Sequence, residues 1–89
     1  MTTATGRIAS TESSGLALRT ARHFAHKVPV TESGGSHRIE TRFGSIELDP
    51  RESELIVRIE GDDIEELRNV AISHLERFSR DESFDVSWD

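Results

Sequence analysis

The sequence predicts an α+β domain of two layers, an antiparallel sheet with two helices covering one face, in the order β-α-β-β-β-β-α-β. Three observations lead there. Residues 17–28 and 64–78 each carry apolar side chains at helical spacing. Between them, residues 28–60 alternate apolar and polar side chains and are punctuated by turn signals. The chain has 89 residues and no cysteine, so residues 1–89 make one domain held by packing, unless a partner or another copy of the chain helps. A chain this short buries only about 60–65% of its unfolded surface, so nearly every large apolar residue is claimed by the core.

The elements follow in order. Residues 3–10 read as a first strand, with Ala4, Gly6 and Ile8 alternating against Thr5 and Arg7. Ser13 or Ser14 is placed to cap the first helix. Its expected apolar stripe is Ala17, Leu18, Ala21, Phe24, Ala25 and Val28, and Pro29 stops it by pushing the preceding residue towards extended geometry. Residues 28–60 read as a four-strand meander. A turn at Gly34-Gly35 sets Val30 opposite Ile39 and Val28 opposite Thr41. One at Phe43-Gly44 sets Ile39 opposite Leu48 and Thr41 opposite Ile46. The loop Pro50–Ser53 then sets Leu48 opposite Leu55, and Ile46 opposite Val57. All three turns put the same parity inward, so Val30, Ile39, Leu48 and Leu55 form one buried ladder. Arg38, Glu40, Arg42, Glu47, Arg58 and Glu60 face outward with mixed signs.

Asp62 and Glu65 have capping-box spacing and open a second helix over residues 63–79, with Ile64, Leu67, Ala71, Leu75 and Phe78 as its buried stripe. A closing strand, residues 83–89, turns Phe84, Val86 and Trp88 inward.

Charge and composition exclude several functions. The net charge is −6, which disfavours sequence-independent nucleic-acid binding by counterion release. The charge is uneven: residues 1–30 hold four basic groups against one acid, and residues 31–89 hold seven arginines against sixteen acids. The longest runs of large or aliphatic apolar residues are triplets such as Leu55-Ile56-Val57, far below the roughly 20 residues of a membrane span. No basic patch with a following apolar segment opens the chain, so the expected location is the cytoplasm. No phosphate-cradling loop of the GxxxxGK type occurs, and no spacing singles out a catalytic set.

The histidines are the candidates for chemistry, since imidazole changes charge near neutrality. Projected along the first helix, His23 lies opposite the expected stripe beside Arg19 and Lys27, with Arg22 and His26 on one flank. His23 and His26 are three apart, so both rings reach towards one ion, although a zinc site normally takes three or four ligands. The plainer reading of this face is a solvated basic helix. His74 falls on the edge of the second stripe, where a half-buried imidazole bonded to backbone is the plainer expectation. Glu76 and Arg80 are spaced for a surface ion pair, and His37 is expected at the surface beside its turn.

The run from Ala21 through Arg22-His23-Phe24-Ala25-His26-Lys27 to Val28-Pro29-Val30, the Arg42-Phe43-Gly44 turn and His74-Leu75-Glu76-Arg77-Phe78 resemble the small bacterial family catalogued as domain of unknown function 2218 (DUF2218). A terminal strand ending in tryptophan, Phe84–Trp88, also fits. The resemblance covers essentially the whole chain. It supplies no activity and no catalytic residue. Because some members are encoded near siderophore-interacting reductases, it implies a role around iron handling, with His23, His26 and His74 as candidate metal ligands.

The sequence therefore points to a non-enzymatic binding or accessory protein, with no cofactor identified. Its expected ligand is a small anion or metal-linked compound held by Arg19, His23, His26 and Lys27. The runner-up is a homo-oligomerising structural module, such as a homodimer, that uses exposed sheet surface or an edge strand. An enzyme using histidine acid–base chemistry comes third.

Overall fold

Glycines with positive φ, at Gly34 (58°) and Gly35 (90°), let the chain reverse in two residues after Val30–Ser33, and the sheet grows from such short reversals. The computed structural model describes residues 2–79 and 85–89. Its elements are β1 (Thr2–Ala9), α1 (Ser13–Ala25), β2 (Val30–Ser33), β3 (Ser36–Thr41), β4 (Gly44–Pro50), β5 (Glu54–Gly61), α2 (Ile64–Phe78) and β6 (Val86–Trp88). The six strands form one antiparallel sheet ordered β2-β3-β4-β5-β1-β6. The α+β class and the element order expected from the sequence are those observed. The two helices pack against the sheet and each other over a single core that includes Ile8, Ile39, Leu48, Val57, Leu67 and Leu75.

Strand parity is as expected, but the register differs by two residues. Ile39 pairs with Val30 on one side and with Ile46, not Leu48, on the other. Ile46 then meets Ile59, and Leu48 meets Val57. Between β4 and β5 the loop closes one position later than expected, with Pro50 opposite Leu55. Between β3 and β4 the cause is the turn, which uses only Arg42 and Phe43. The Thr41 hydroxyl closes it, donating to the Gly44 carbonyl at 2.8 Å and accepting from the Phe43 amide at 3.1 Å. Shifting by two leaves every side chain on the same face, so the ladder becomes Val30–Ile39–Ile46–Ile59 without inverting. His37 pairs with Leu48 and is 6% exposed. The expected surface histidine is buried because its parity matches Ile39.

The first helix is phased differently from its expected stripe. Its buried residues are Ser13, Leu16, Ala17, Thr20, Ala21 and Phe24, whereas Leu18 is 38% exposed and Ala25 is exposed. Thr20 is buried at little cost because its hydroxyl donates to the Leu16 carbonyl at 2.8 Å. Nor does a serine cap the helix. Glu12 occupies the cap position without a side-chain bond, and the Ser13 hydroxyl instead donates to the Arg51 carbonyl, fastening α1 to the β4–β5 loop.

The stripe of α2 is as expected, with Leu67, Ala71 and Leu75 buried and Ile64 and Phe78 packed on the core. Its cap is one residue later than the spacing suggested. Asp63, not Asp62, occupies the N-cap and accepts from the Glu66 amide at 3.2 Å. Asp63→Ala should therefore lower unfolding free energy by about 1 kcal/mol, while Asp63→Asn, which keeps an acceptor, should stay near the parent. Urea denaturation of the two variants measures the difference.

At the far edge, β6 pairs with β1, setting Trp88 beside Gly6. A Cβ at Gly6 would come within 2.9 Å of the indole ring, so glycine is what permits the ring to lie on the strand. The Arg68 guanidinium covers the ring at 4.7 Å from its centroid. The expected inward position of Phe84 and the Glu76–Arg80 pair lie outside the described residues.

Candidate functional site

Rotating the buried stripe of α1 onto Leu16 and Thr20 turns its faces by roughly 60°, at about 100° per residue. That moves His23 from the solvent side to the flank facing α2. Its ring lies 5.3 Å from that of His74 and 5.2 Å from Phe78, centroid to centroid. Phe24, one residue on, packs 4.4 Å from His74. Rings from two helices thus form one cluster, and half-buried His23 and His74 stand at its surface.

His74 is held by its own helix, with Nδ1 2.7 Å from the Val70 carbonyl. A carbonyl only accepts, so Nδ1 carries a proton and donates it. The Nε2 atom is left as an acceptor when the ring is neutral and a second donor when it is charged. The half-buried, backbone-bonded histidine expected from the sequence is what the structure shows. The protonated form of His23 is disfavoured. Its pKa lies below the ordinary histidine value because partial burial removes water and because His74, Arg77, Lys27 and His26 add positive charge nearby.

The β3–β4 turn supplies the opposite wall. Arg42 and Phe43 are its two central residues, and the Arg42 guanidinium stacks 5.0 Å from the Phe43 centroid. Between this turn, the end of α1 and the middle of α2 lies a groove of about 410 Å³. Phe24, Val28, Phe43 and Val70 give it apolar walls. Its polar groups are His23, Lys27, Thr41, Arg42 and His74, and no carboxylate lines it among the described residues. An apolar cleft with a few convergent polar groups is the usual form of a small-molecule site.

The expected site residues separate into three groups. His23, Lys27 and His74 come together at the groove. Arg19 is drawn away: its guanidinium donates to the Phe78 carbonyl at 3.1 Å, tying α1 to the end of α2. His26 is exposed and does not line the groove. Among the described residues no three histidines, aspartates or glutamates are arranged to hold a metal ion, so the three histidines do not form a three-ligand set. Arg42, Phe43 and Val70 escaped the sequence reading as site residues. A signal for Phe43 existed in an aromatic side chain placed in a tight turn, where no strand parity claims it.

The uncovered sheet face offers hollows of more polar lining, one bounded by Arg38, Ser45, Glu47, Arg58 and Glu60. Its charges largely neutralise one another. Arg58 reaches Glu47 at 2.7 Å and Asp49 at 3.2 Å, and Arg38 reaches Glu40 at 2.6 Å. These are solvated pairs of small energetic weight. They leave little for a ligand to satisfy.

Fold and groove together define a small two-layer α+β domain with an aromatic-walled cleft where its helices meet a sheet turn. The chain belongs to the family described as "Uncharacterized protein conserved in bacteria (DUF2218)", which it matches over residues 5–89. It is also similar to the NMR structure of PA4090 from Pseudomonas aeruginosa, with a TM-score of 0.80 and 22% sequence identity, covering 100% of this chain and 96% of that one. That likeness is one of fold. No curated protein matches. No helix of the described residues is long and apolar enough to cross a membrane.

Proposed function

We propose that this protein is a non-enzymatic binding or accessory protein that takes a small organic ligand in the groove between α1, α2 and the β3–β4 turn. The observation that carries the reading is the composition of that groove: four apolar side chains, two imidazoles and two cations converge on about 410 Å³. The family resemblance adds a context of iron or siderophore handling, in which the ligand is a metal-linked compound. With two histidines at the groove rather than three, the metal would arrive already held by an organic chelator. A homodimer joined through the sheet has less support. The uncovered face carries ion pairs, and the exposed large apolar residue among the described ones is Leu18, on a helix.

An amide NMR titration tests the reading, using a panel of small aromatic and aliphatic compounds with zinc and ferrous iron alone as separate arms. Shifts should cluster at residues 23–28, 41–43 and 70–74 and be lost in Val70→Trp, which fills the groove while retaining its charged groups. Thermal melting checks that the variant folds. Shifts confined to the uncovered sheet face, or none from any compound, would overturn the proposal.

A further inference from the structure

The groove carries a charge pattern that selects among organic ligands. Lys27 comes from the end of α1 and Arg42 from the β3–β4 turn, and among the described residues neither forms an ion pair. In a chain of net charge −6, that is a local surplus of positive charge with an apolar floor. His23 stands beside it, its ring 5.3 Å from that of His74, close enough for a charge on His74 to oppose one on His23.

We propose that the groove binds an organic anion with an apolar body, and that binding is coupled to proton uptake by His23. The proposal rests on the groove being the binding site and adds the ligand's charge and the proton. Phe24, Val28, Phe43 and Val70 take the body; Lys27 and Arg42 take the anionic head. Among the described residues, the charged or ionisable groups that crowd His23 are basic: Lys27 and His26 from its own helix and His74 and Arg77 from α2, with Arg42 lining the same groove from the turn. In the free protein this crowding, added to partial burial, keeps His23 below its ordinary pKa. An arriving anion reverses the sign of the local field, favours the charged imidazole and raises that pKa. By linkage, a proton taken up on binding makes affinity rise as pH falls.

Two dyes test this without knowledge of the natural ligand. Anilinonaphthalene sulfonate carries a sulfonate that stays ionised throughout the histidine range, so any pH dependence belongs to the protein. Phenylnaphthylamine has the same ring system without the charge. Fluorescence titration should show the sulfonate binding at least about tenfold more tightly than the neutral dye. Its affinity should also rise about three- to tenfold from about pH 8 to about pH 6, with groove amides shifting in NMR. Lys27→Met with Arg42→Met should remove the preference, and His23→Gln should flatten the pH profile. Unchanged melting temperatures would confirm that both variants fold. Equal, pH-independent binding of the two dyes at groove amides would overturn the anion and proton assignments and leave the groove as a binding site. Failure of both dyes to shift the groove amides would overturn both.

Discussion

Replacing Gly44 with alanine should lower the melting temperature by roughly 12 °C or more. The residue has φ of 138°, a conformation L side chains rarely adopt. A Cβ there would lie 2.1 Å from the Glu60 carbonyl oxygen and 2.8 Å from Gly61 Cα. Both obstacles are backbone, so neither moves without disturbing the β4–β5 ladder. Strained φ/ψ costs about 1–3 kcal/mol, and forced overpacking adds about 1–3 kcal/mol, against a total of about 5–15 kcal/mol for a domain. Gly34→Ala is the control. Its φ is 58° with no atom within 4 Å of the added carbon, so it should cost only the backbone term, about 1–2 kcal/mol. Differential scanning calorimetry of the two proteins gives the comparison; equal losses would mean that β4 and β5 do not approach so closely. The effect reaches the groove as well, because Gly44 directly follows the turn that carries Phe43.

Leu67→Ala and Leu75→Ala should each remove about 2–5 kcal/mol. Both side chains are 0% exposed and form the middle of the α2 stripe, so truncation leaves a cavity between that helix and the sheet. Leu18→Ala, at an exposed position, should change stability by less than about 0.5 kcal/mol. Equilibrium urea unfolding separates the cases. A large loss at Leu18 with small losses at Leu67 and Leu75 would reverse the assignment of buried faces.

The contrast between those leucines shows what the sequence made legible. In α2, large apolar residues fall on one stripe with few competitors, so periodicity found it. In α1 the buried face includes Ser13 and Thr20, polar residues satisfied by Arg51 and Leu16 carbonyls, and hydropathy counts such residues as exposed. Leu18 then pulled the expected stripe away from Leu16, and His23 moved to the wrong side with it. Strand parity survived two register errors because each was two residues. An error of one would have inverted the sheet. His37 was misplaced by its neighbourhood: a glycine turn suggests surface, yet parity with Ile39 decides its burial.

The candidate site was half legible. His23, His74 and Lys27 were singled out by residue type, and they do meet. Their partners Arg42 and Phe43 come from a turn remote in sequence, and only its packing beside both helices brings them in. Val70 lies one turn before His74 on α2, an apolar residue with no sign of a site role in the sequence. Arg19 illustrates the opposite case. Its spacing placed it with the cations of the site, but its long side chain reaches the Phe78 carbonyl, a contact no helical projection contains.

The seat of Trp88 on Gly6 also gives this chain an optical address. It contains one tryptophan and no tyrosine, so near-ultraviolet emission originates essentially from a single indole. That indole stacks under Arg68 at the β6 edge, while the groove opens beside the β3–β4 turn and has no tryptophan in its lining. Quenching or a red shift of that emission therefore reports release of the terminal strand from β1. The seating of the last strand and the occupancy of the groove can be followed as two signals in one sample.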